Sequence, residues 1–258
     1  MDQKLTNTKI SVIAFCSNKK NKVKSFIDNL SFVHEIIFID NNSTDKTATT
    51  AKELGAIVMQ QTTTDTAQQL GLAIDSAQNN WILVLDLNVK LSEELREEIL
   101  FTITNPKTNN QAYFIEQNLF FLGKNLKYAE LYNKKEFFFF DKSKVSYSKH
   151  SDNKSLINLS KKPVKLKNKI DYYILKNFDN YNHELSLLSK EKALALYNSN
   201  FKPNYYHFII KPFLFFIKQY FIKLGFLDGK EGYILAYINS FAVLKSYLIL
   251  WLLNNNME

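Results

Sequence analysis

The chain has 258 residues, enough for one large domain or for one domain with an appendage. Hydrophobic residues at 46% and charged residues at 22% exclude wholesale disorder, and six glycines leave little material for Walker or dinucleotide-type phosphate loops. A net charge of +8 fits general solubility, a polyanionic partner or an anionic membrane surface. The lysines are dispersed and no nucleic-acid module is recognisable, so no nucleic-acid partner is expected. The single cysteine, Cys16, forbids an intrachain disulfide and fits a reducing compartment. The polar stretch Met1–Thr8 lacks the apolar core of a signal peptide, so a cytoplasmic location is expected.

The first hundred residues alternate between short apolar runs and helical patterns. Ile10–Phe15 reads as a strand, and Val23, Phe26, Ile27 and Leu30 give Lys20–Leu30 an apolar helical face. Glu35–Ile39 is a second strand ending at Asp40. The polar turn 41–45 caps a helix over Thr47–Leu54, closed by Gly55. Ala56–Gln60 is a third strand. Thr64 or Asp65 caps a helix through Ala77, with Ala67, Leu70, Ala73, Ile74 and Ala77 on one face. Trp81–Leu85 is apolar throughout, as a strand buried on both faces would be. Ser92 caps the next helix, whose first turn carries Glu93 and Glu94, favourable against the helix dipole.

This alternation predicts an α/β fold: a mostly parallel central sheet with helices on both faces. Ligands of such sheets bind beyond the carboxyl ends of the strands. Here that rule points to 16–18, 40–42 and 86–88.

Further on, Ala112–Leu122 and Glu136–Asp141 read as strands, and Lys142–Lys149 is a basic, polar connection. Lys161–Lys169 holds five lysines in nine residues and reads as a solvated loop. Tyr172–Tyr197 has helical periodicity. From Phe201 the composition turns aromatic and aliphatic, with lysines at 202, 211, 218, 223, 230 and 245. Over Phe208–Lys223 this resembles an interfacial amphipathic segment. Tyr233–Leu253 is long enough to cross a bilayer, but a central lysine there costs roughly 2.5 to 3.5 kcal/mol on insertion scales. Lys245 therefore favours a surface-lying or protein-packed helix.

Two stretches can carry chemistry. In Glu35–Thr47 (EIIFIDNNSTDKT), Asp40 ends a buried strand where a carboxylate can accept hydrogen bonds from a nucleoside. A plain strand–turn–helix with side-chain capping has the same pattern. In Trp81–Asn88 (WILVLDLN), Asp86 and Asn88 occupy the two places of an Asp-x-Asp pair, which holds Mg2+ or Mn2+ against a diphosphate. The Asn88 amide can ligate a metal but brings no charge, so metal affinity is expected to be weakened.

The order and spacing of Ile10–Asn18, Glu35–Thr47, Ala51–Ala56, Trp81–Asp86 and Leu91–Ile99 resemble family 2 glycosyltransferases of the GT-A fold. The distal Gly225-Phe-Leu-Asp228-Gly229 followed by Gly232 extends the likeness over nearly the whole chain. Within the family the likeness is to lipopolysaccharide core β-1,4-glucosyltransferases. It implies a nucleotide-sugar donor, a UDP-sugar first of all, bound by Asn18, Asp40, Asn42 and Asp86. It also implies a metal at Asp86 and Asn88 with His150 nearby, and a lipid-linked saccharide acceptor at the inner face of the cell membrane.

The departures from the family pattern fall at the same places. Lys19 and Lys20 stand where acidic residues are usual. Gln68-Gln69-Leu70 replaces Gln-Lys-Asn, and His150-Ser151 replaces His-Glu, removing the family's candidate base. Asp152 is the nearest carboxylate by sequence and Asp171 a more distant one. Two readings stay open: an inverting glycosyltransferase, and a binding or scaffold protein that keeps the fold without turnover. The expected division is a GT-A-like domain over 1–200 and a helical membrane-associating segment over 201–258.

Overall fold

The computed structural model describes residues 9–60, 66–105, 112–131, 137–147, 157–158, 163–174 and 178–257. These fall into two compact units. The first lies within 1–117 and 136–172, the second within 118–135 and 173–258.

The first unit opens with β1 (Ile10–Cys16), α1 (Lys20–Asn29), β2 (Glu35–Asp40), α2 (Thr47–Glu53), β3 (Ile57–Gln60), α3 (Thr66–Ser76) and β4 (Trp81–Asp86). It continues with β5 (Val89–Lys90), α4 (Glu93–Thr104) and β6 (Ala112–Ile115). β7 (Gln117–Phe121) and β8 (Lys124–Leu126) come next, and the chain then returns to the first unit in β9 (Phe137–Asp141). The short strands β10 (Ser146–Tyr147), β11 (Ile157–Asn158) and β12 (Val164–Lys165) precede β13 (Ile170–Ile174).

Seven strands form one sheet in the order β12-β6-β9-β4-β1-β2-β3. β1 pairs in parallel with β2 and β4, and β2 with β3, whereas β9 runs antiparallel to both β4 and β6. The apolar runs of β1 and β4 are long because helices cover both faces of the sheet. Phe38 meets Phe26 of α1 on one face, with ring centroids 5.7 Å apart. Its neighbours Ile37 and Ile39 point the other way, into a core with Leu70, Ala73 and Ile74 of α3. Ser92 caps α4 as expected, its Oγ accepting the Leu95 N–H at 3.3 Å.

Three expectations need correction. Ala112–Leu122 is not one strand but two, β6 and β7, divided at Glu116. The Glu116 carbonyl accepts the Ile170 N–H at 2.8 Å, and its carboxylate holds Lys165 at 2.7 Å and Lys169 at 3.3 Å. Those contacts also overturn a wholly solvated Lys161–Lys169 loop. Its described part adds β12 to the sheet beside β6, and Glu98 accepts the N–H groups of Lys167 and Asn168. Third, Tyr172–Ile174 belongs to β13, and the helix α5 covers Phe178–Asn198. Aromatic and β-branched residues at alternate positions suit a strand as well as a helix, and here strand pairing decided.

The second unit holds the β7–β8 hairpin, α5, a helix over 206–222 and a 3-10 turn (Gly225–Asp228) that leads into α7 (Gly229–Asn254). In the 206–222 helix, α6 (Lys211–Ile217) is flanked by π-helical turns at Tyr206–Ile210 and Lys218–Ile222. Pro212 has no N–H to give the preceding turn, which accounts for the widening ahead of it. α5 packs on α7 around Ala193, Val243, Tyr247 and Leu250, with Phe208 and Phe215 closing over them. The C-terminal helices thus share a core with α5, so the division falls elsewhere than at residue 200.

The stretch Gly225–Asn254 is long and apolar enough to cross a membrane, yet 56% of its most apolar window is buried against the protein. Two polar side chains in its middle have protein partners. Asn239, fully buried, accepts from Tyr181 Oη at 2.7 Å and donates to the Glu130 carbonyl at 2.9 Å. Lys245 donates to Ser186 Oγ.

The distal glycine motif is a clasp. Asp228 is buried and its carboxylate accepts three backbone N–H groups, from Lys127, Tyr128 and Ala129, at 2.9, 2.9 and 2.7 Å. Gly232 lets the first turn of α7 press against the Gly225 carbonyl. A Cβ at 232 would lie 2.0 Å from that oxygen. Gly232→Ala should therefore lower stability by about 1–3 kcal/mol or more through overpacking of backbone on backbone. Thermal unfolding of the purified variant checks this; an unchanged Tm would show that the turn can spread.

Candidate active site

β1 lies inside the sheet with β2 and β3 on one side and β4 on the other, so the chain order reverses at β1. Open parallel sheets bind ligands at that switch point, beyond the carboxyl ends of the strands. The turns after β1, β2 and β4 meet there.

The turn after β1 is built around α1, whose first N–H groups have no capping side chain of their own. The neighbouring turn supplies the cap. Thr47 Oγ1 accepts the Lys19 N–H at 2.8 Å and Asp45 Oδ2 accepts the Lys20 N–H at 3.2 Å. Asn18 returns the favour: its Oδ1 accepts the N–H groups of Thr44 at 2.8 Å and Asp45 at 3.3 Å. Its own N–H donates to Ser43 Oγ at 3.0 Å. Asn18 and Asn42 both stand at positive φ, 49° and 52°, a conformation asparagine tolerates better than most residues.

Asp45 is set by opposing effects. Burial raises its pKa, but hydrogen bonds from the Thr47 hydroxyl, Thr47 N–H and Lys20 N–H, with the Lys20 charge, outweigh it together and hold it below the usual carboxylate value.

Asp40 is only 1% exposed. Its Oδ2 accepts the Ser43 N–H at 3.2 Å, its Oδ1 accepts the Ser43 hydroxyl, and Cys16 Sγ lies 3.6 Å from Oδ1. The expectation that Asp40 faces a nucleoside directly is therefore corrected: it fixes the turn from beneath, and the exposed groups are Asn18 and Asn42. Burial, and next the Asp40 charge, push the Cys16 thiol far up, which makes it a packing group and not a nucleophile.

The third turn carries the acidic position. Asp86 Oδ1 accepts the Asn88 N–H at 2.8 Å and lies 3.7 Å from Lys19 Nζ. Asn88 is 3% exposed; its Oδ1 accepts from Lys22 Nζ, and its Nδ2 donates to Tyr172 Oη at 3.3 Å. Two ammonium groups from the start of α1 thus reach the pair expected to hold a metal. Among the described residues no group of three or more His, Cys, Asp or Glu side chains converges as a cation site. Asp86 and Asn88 each already meet an ammonium group, and a dication between them would stand against two like charges, so the pair as arranged does not fit Mg2+ or Mn2+.

The structure thus brings Asn18, Asp40, Asn42, Asp86 and Asn88 to one end of the sheet. Asp171 does not join them as a base. It lies opposite Lys90 in the β5–β13 pair, and its neighbour Tyr172 is the one that reaches Asn88. Successive strand side chains point to opposite faces. His150 and Asp152 lie outside the described residues. Sequence reasoning does not reach Lys22 or Tyr172 as site residues. The Lys19/Lys22 spacing, which puts both on one side of a helix start, is a legible signal for the first. Nothing in the sequence ties Tyr172 to a residue 84 positions earlier.

A family model described as glycosyl transferase family 2 matches residues 11–153, more than half of the chain. The protein belongs to the family 2 glycosyltransferases. It is 27% identical over 248 residues to an uncharacterised glycosyltransferase of Rickettsia prowazekii, covering 91% of this chain and 84% of the relative. A Rickettsia conorii relative is 26% identical over 257 residues, covering 94% and 89%. Among solved structures, glucosyl-3-phosphoglycerate synthase of Mycobacterium tuberculosis with Mn2+, UDP and glucosyl-3-phosphoglycerate matches at a TM-score of 0.41 and 16% identity. That match covers 54% of this chain and 59% of the synthase.

The Asp45 cap makes the site acid-sensitive. Its folded pKa is depressed, so its stabilising contribution is complete well above the unfolded value of about 3.9 and is lost as pH falls through the folded value. Denaturant midpoints measured from about pH 6 down to about pH 3 should fall less steeply in Asp45→Asn than in the parent chain. Parallel curves would remove Asp45 from the acid response.

Proposed function

We propose that the protein transfers a sugar from a nucleotide-sugar, taken to be a UDP-sugar, to a hydroxyl of a lipid-linked saccharide such as lipopolysaccharide core. The observation that carries the donor half is the pair of lysines at the switch point. They stand at the positive end of α1, where an anionic diphosphate is favoured. The nucleoside lies against Asn18 and Asn42, over the turn that Asp40 holds.

The reaction is a single displacement with inversion. The acceptor oxygen forms a bond to the anomeric carbon as the bond from that carbon to the phosphate oxygen breaks. The electron pair leaves with the nucleoside diphosphate, and the acceptor proton passes to a carboxylate base. Asp152 is the carboxylate put forward for that step by its place after the basic connection. Asp152→Asn should lower kcat by roughly 10²–10⁴ with donor affinity retained. UDP release from a UDP-sugar panel, with extracted lipid-linked saccharide as acceptor, measures it. Release from no nucleotide-sugar under any condition would overturn the transferase reading.

The acceptor half is supported by the second unit. Tyr205, Ile209 and Phe213 recur every four residues and are 85%, 66% and 62% exposed, and Ile222 is 71% exposed. Lys202, Lys218 and Lys230 are exposed among them. Lys211, Lys223 and Lys245 are engaged internally, with Tyr247, Glu130 and Ser186, so the charge available to a surface is smaller than the sequence suggests. An apolar helix face with flanking lysines suits the cytoplasmic leaflet of an anionic membrane, at about 1 kcal/mol per lysine near the surface. Sedimentation with vesicles rich in anionic phospholipid should capture the protein, less so at high salt. Ile209→Ser with Phe213→Ser should release it; equal capture of that variant would move the contact elsewhere.

A further inference from the structure

We propose that Lys19 and Lys22 take the place of a divalent cation at the donor diphosphate, so that donor binding needs no metal. This rests on the nucleotide-sugar reading above. In an Asp-x-Asp site two carboxylates hold a dication, and the dication faces the phosphates. Here the same two places hold Asp86 and Asn88, and each already meets an ammonium group. Two lysines bring the same positive charge as one divalent ion, delivered by the chain itself.

This arrangement gives a reason for an amide, not a carboxylate, at 88. With an amide at 88, the two lysines share one carboxylate, Asp86, in place of two. An amide oxygen orients the ammonium group by a hydrogen bond and adds no negative charge beside it. Tyr172 sets which way the amide points, since its hydroxyl accepts from Nδ2 and leaves Oδ1 for Lys22. Asp86 is held in turn by the Asn88 N–H at 2.8 Å, so the carboxylate that meets Lys19 is fixed by the same turn. Both oxygens face a pair of cations in a partly buried place: the Lys19 side chain is 17% exposed and that of Asp86 10%. A divalent ion bound there would sit about 2.0–2.6 Å from those oxygens, against two like charges.

Lys19 and Lys22 also stand at the N-terminal end of a ten-residue helix with no acidic residue in its first turn. The helix N-terminus and the two side chains therefore act in the same direction on a leaving diphosphate. They stabilise the negative charge that builds up on the leaving oxygen, the service a metal gives in an Asp-x-Asp site.

The test is isothermal titration of the full chain with UDP, once in EDTA and once in Mn2+. Binding of equal strength in both is expected. In EDTA, Lys19→Ala and Lys22→Ala should each weaken it by roughly tenfold to a hundredfold, the value of one charge-assisted hydrogen bond. Lys22→Arg keeps the charge and should keep most of the affinity, which separates loss of the cation from loss of the fold. Lys22→Ala with Asn88→Asp rebuilds the two-carboxylate pair and should bind UDP in Mn2+ better than in EDTA. UDP binding by the parent chain only when Mn2+ is present would overturn the proposal and leave the donor site standing. Alanine variants that bind as the parent does in EDTA would also overturn it. A folded parent chain that binds no nucleotide in either buffer would sink the donor-site reading itself.

Discussion

The site depends on a helix that does not cap itself. α1 starts at the switch point of the sheet with Lys19 at its N-cap and no side chain of its own to take the first N–H groups. Thr47 and Asp45 from the turn after β2 take them, and Asn18 from the turn after β1 takes the N–H groups of that second turn. Each turn is completed by the other. A loop that must leave side chains facing a ligand cannot spend all its backbone groups on itself. Exchange of partners between adjacent turns lets both stay open to solvent and still be satisfied.

Once α1 is placed, the electrostatics are set. Its first turn carries Lys19 and Lys22 across to the end of β4, where Asp86 and Asn88 receive them. Asp40, between the two turns, is buried and holds Ser43. The three strand ends thus divide the labour: β2 supplies rigidity, β1 supplies cations through α1, and β4 supplies the acceptors that orient them. Tyr172 adds a support from β13 by fixing the Asn88 amide.

The second unit applies similar economy to a different end. Asp228 turns one buried carboxylate into an anchor for three consecutive N–H groups of the segment 127–129. Gly225 and Gly232 let the backbone approach closely enough for that anchor to form. α7, apolar along most of its length, has Asn239 and Lys245 matched to α5 and to the segment around Glu130, and Ser189 of α5 donates to its Ala242 carbonyl. A helix of this composition that met only lipid would leave Asn239 without those partners, and that cost is what fixes its packing against protein.

The sequence by itself determined the α/β class, the order of the first four strands and the three places where they end. Those features rest on local signals: apolar runs set strands, and capping residues such as Ser92 set helix starts. It also showed that the metal pair lacks a charge at Asn88. Only the tertiary structure showed that an ammonium group, from Lys22, meets that amide. Lys22 and Asn88 are 66 positions apart and Asn88 and Tyr172 are 84 apart, and no periodicity relates residues at such distances. The role of Asp40 was hidden for the same reason. A strand-end carboxylate looks alike in sequence whether it faces ligand or turn, and burial by the packed neighbours settled which. The local pattern at Tyr172 allows helix and strand alike, and pairing with β5 chose the strand. Local physics wrote the elements; long-range packing chose which of their polar ends were buried and which stayed exposed.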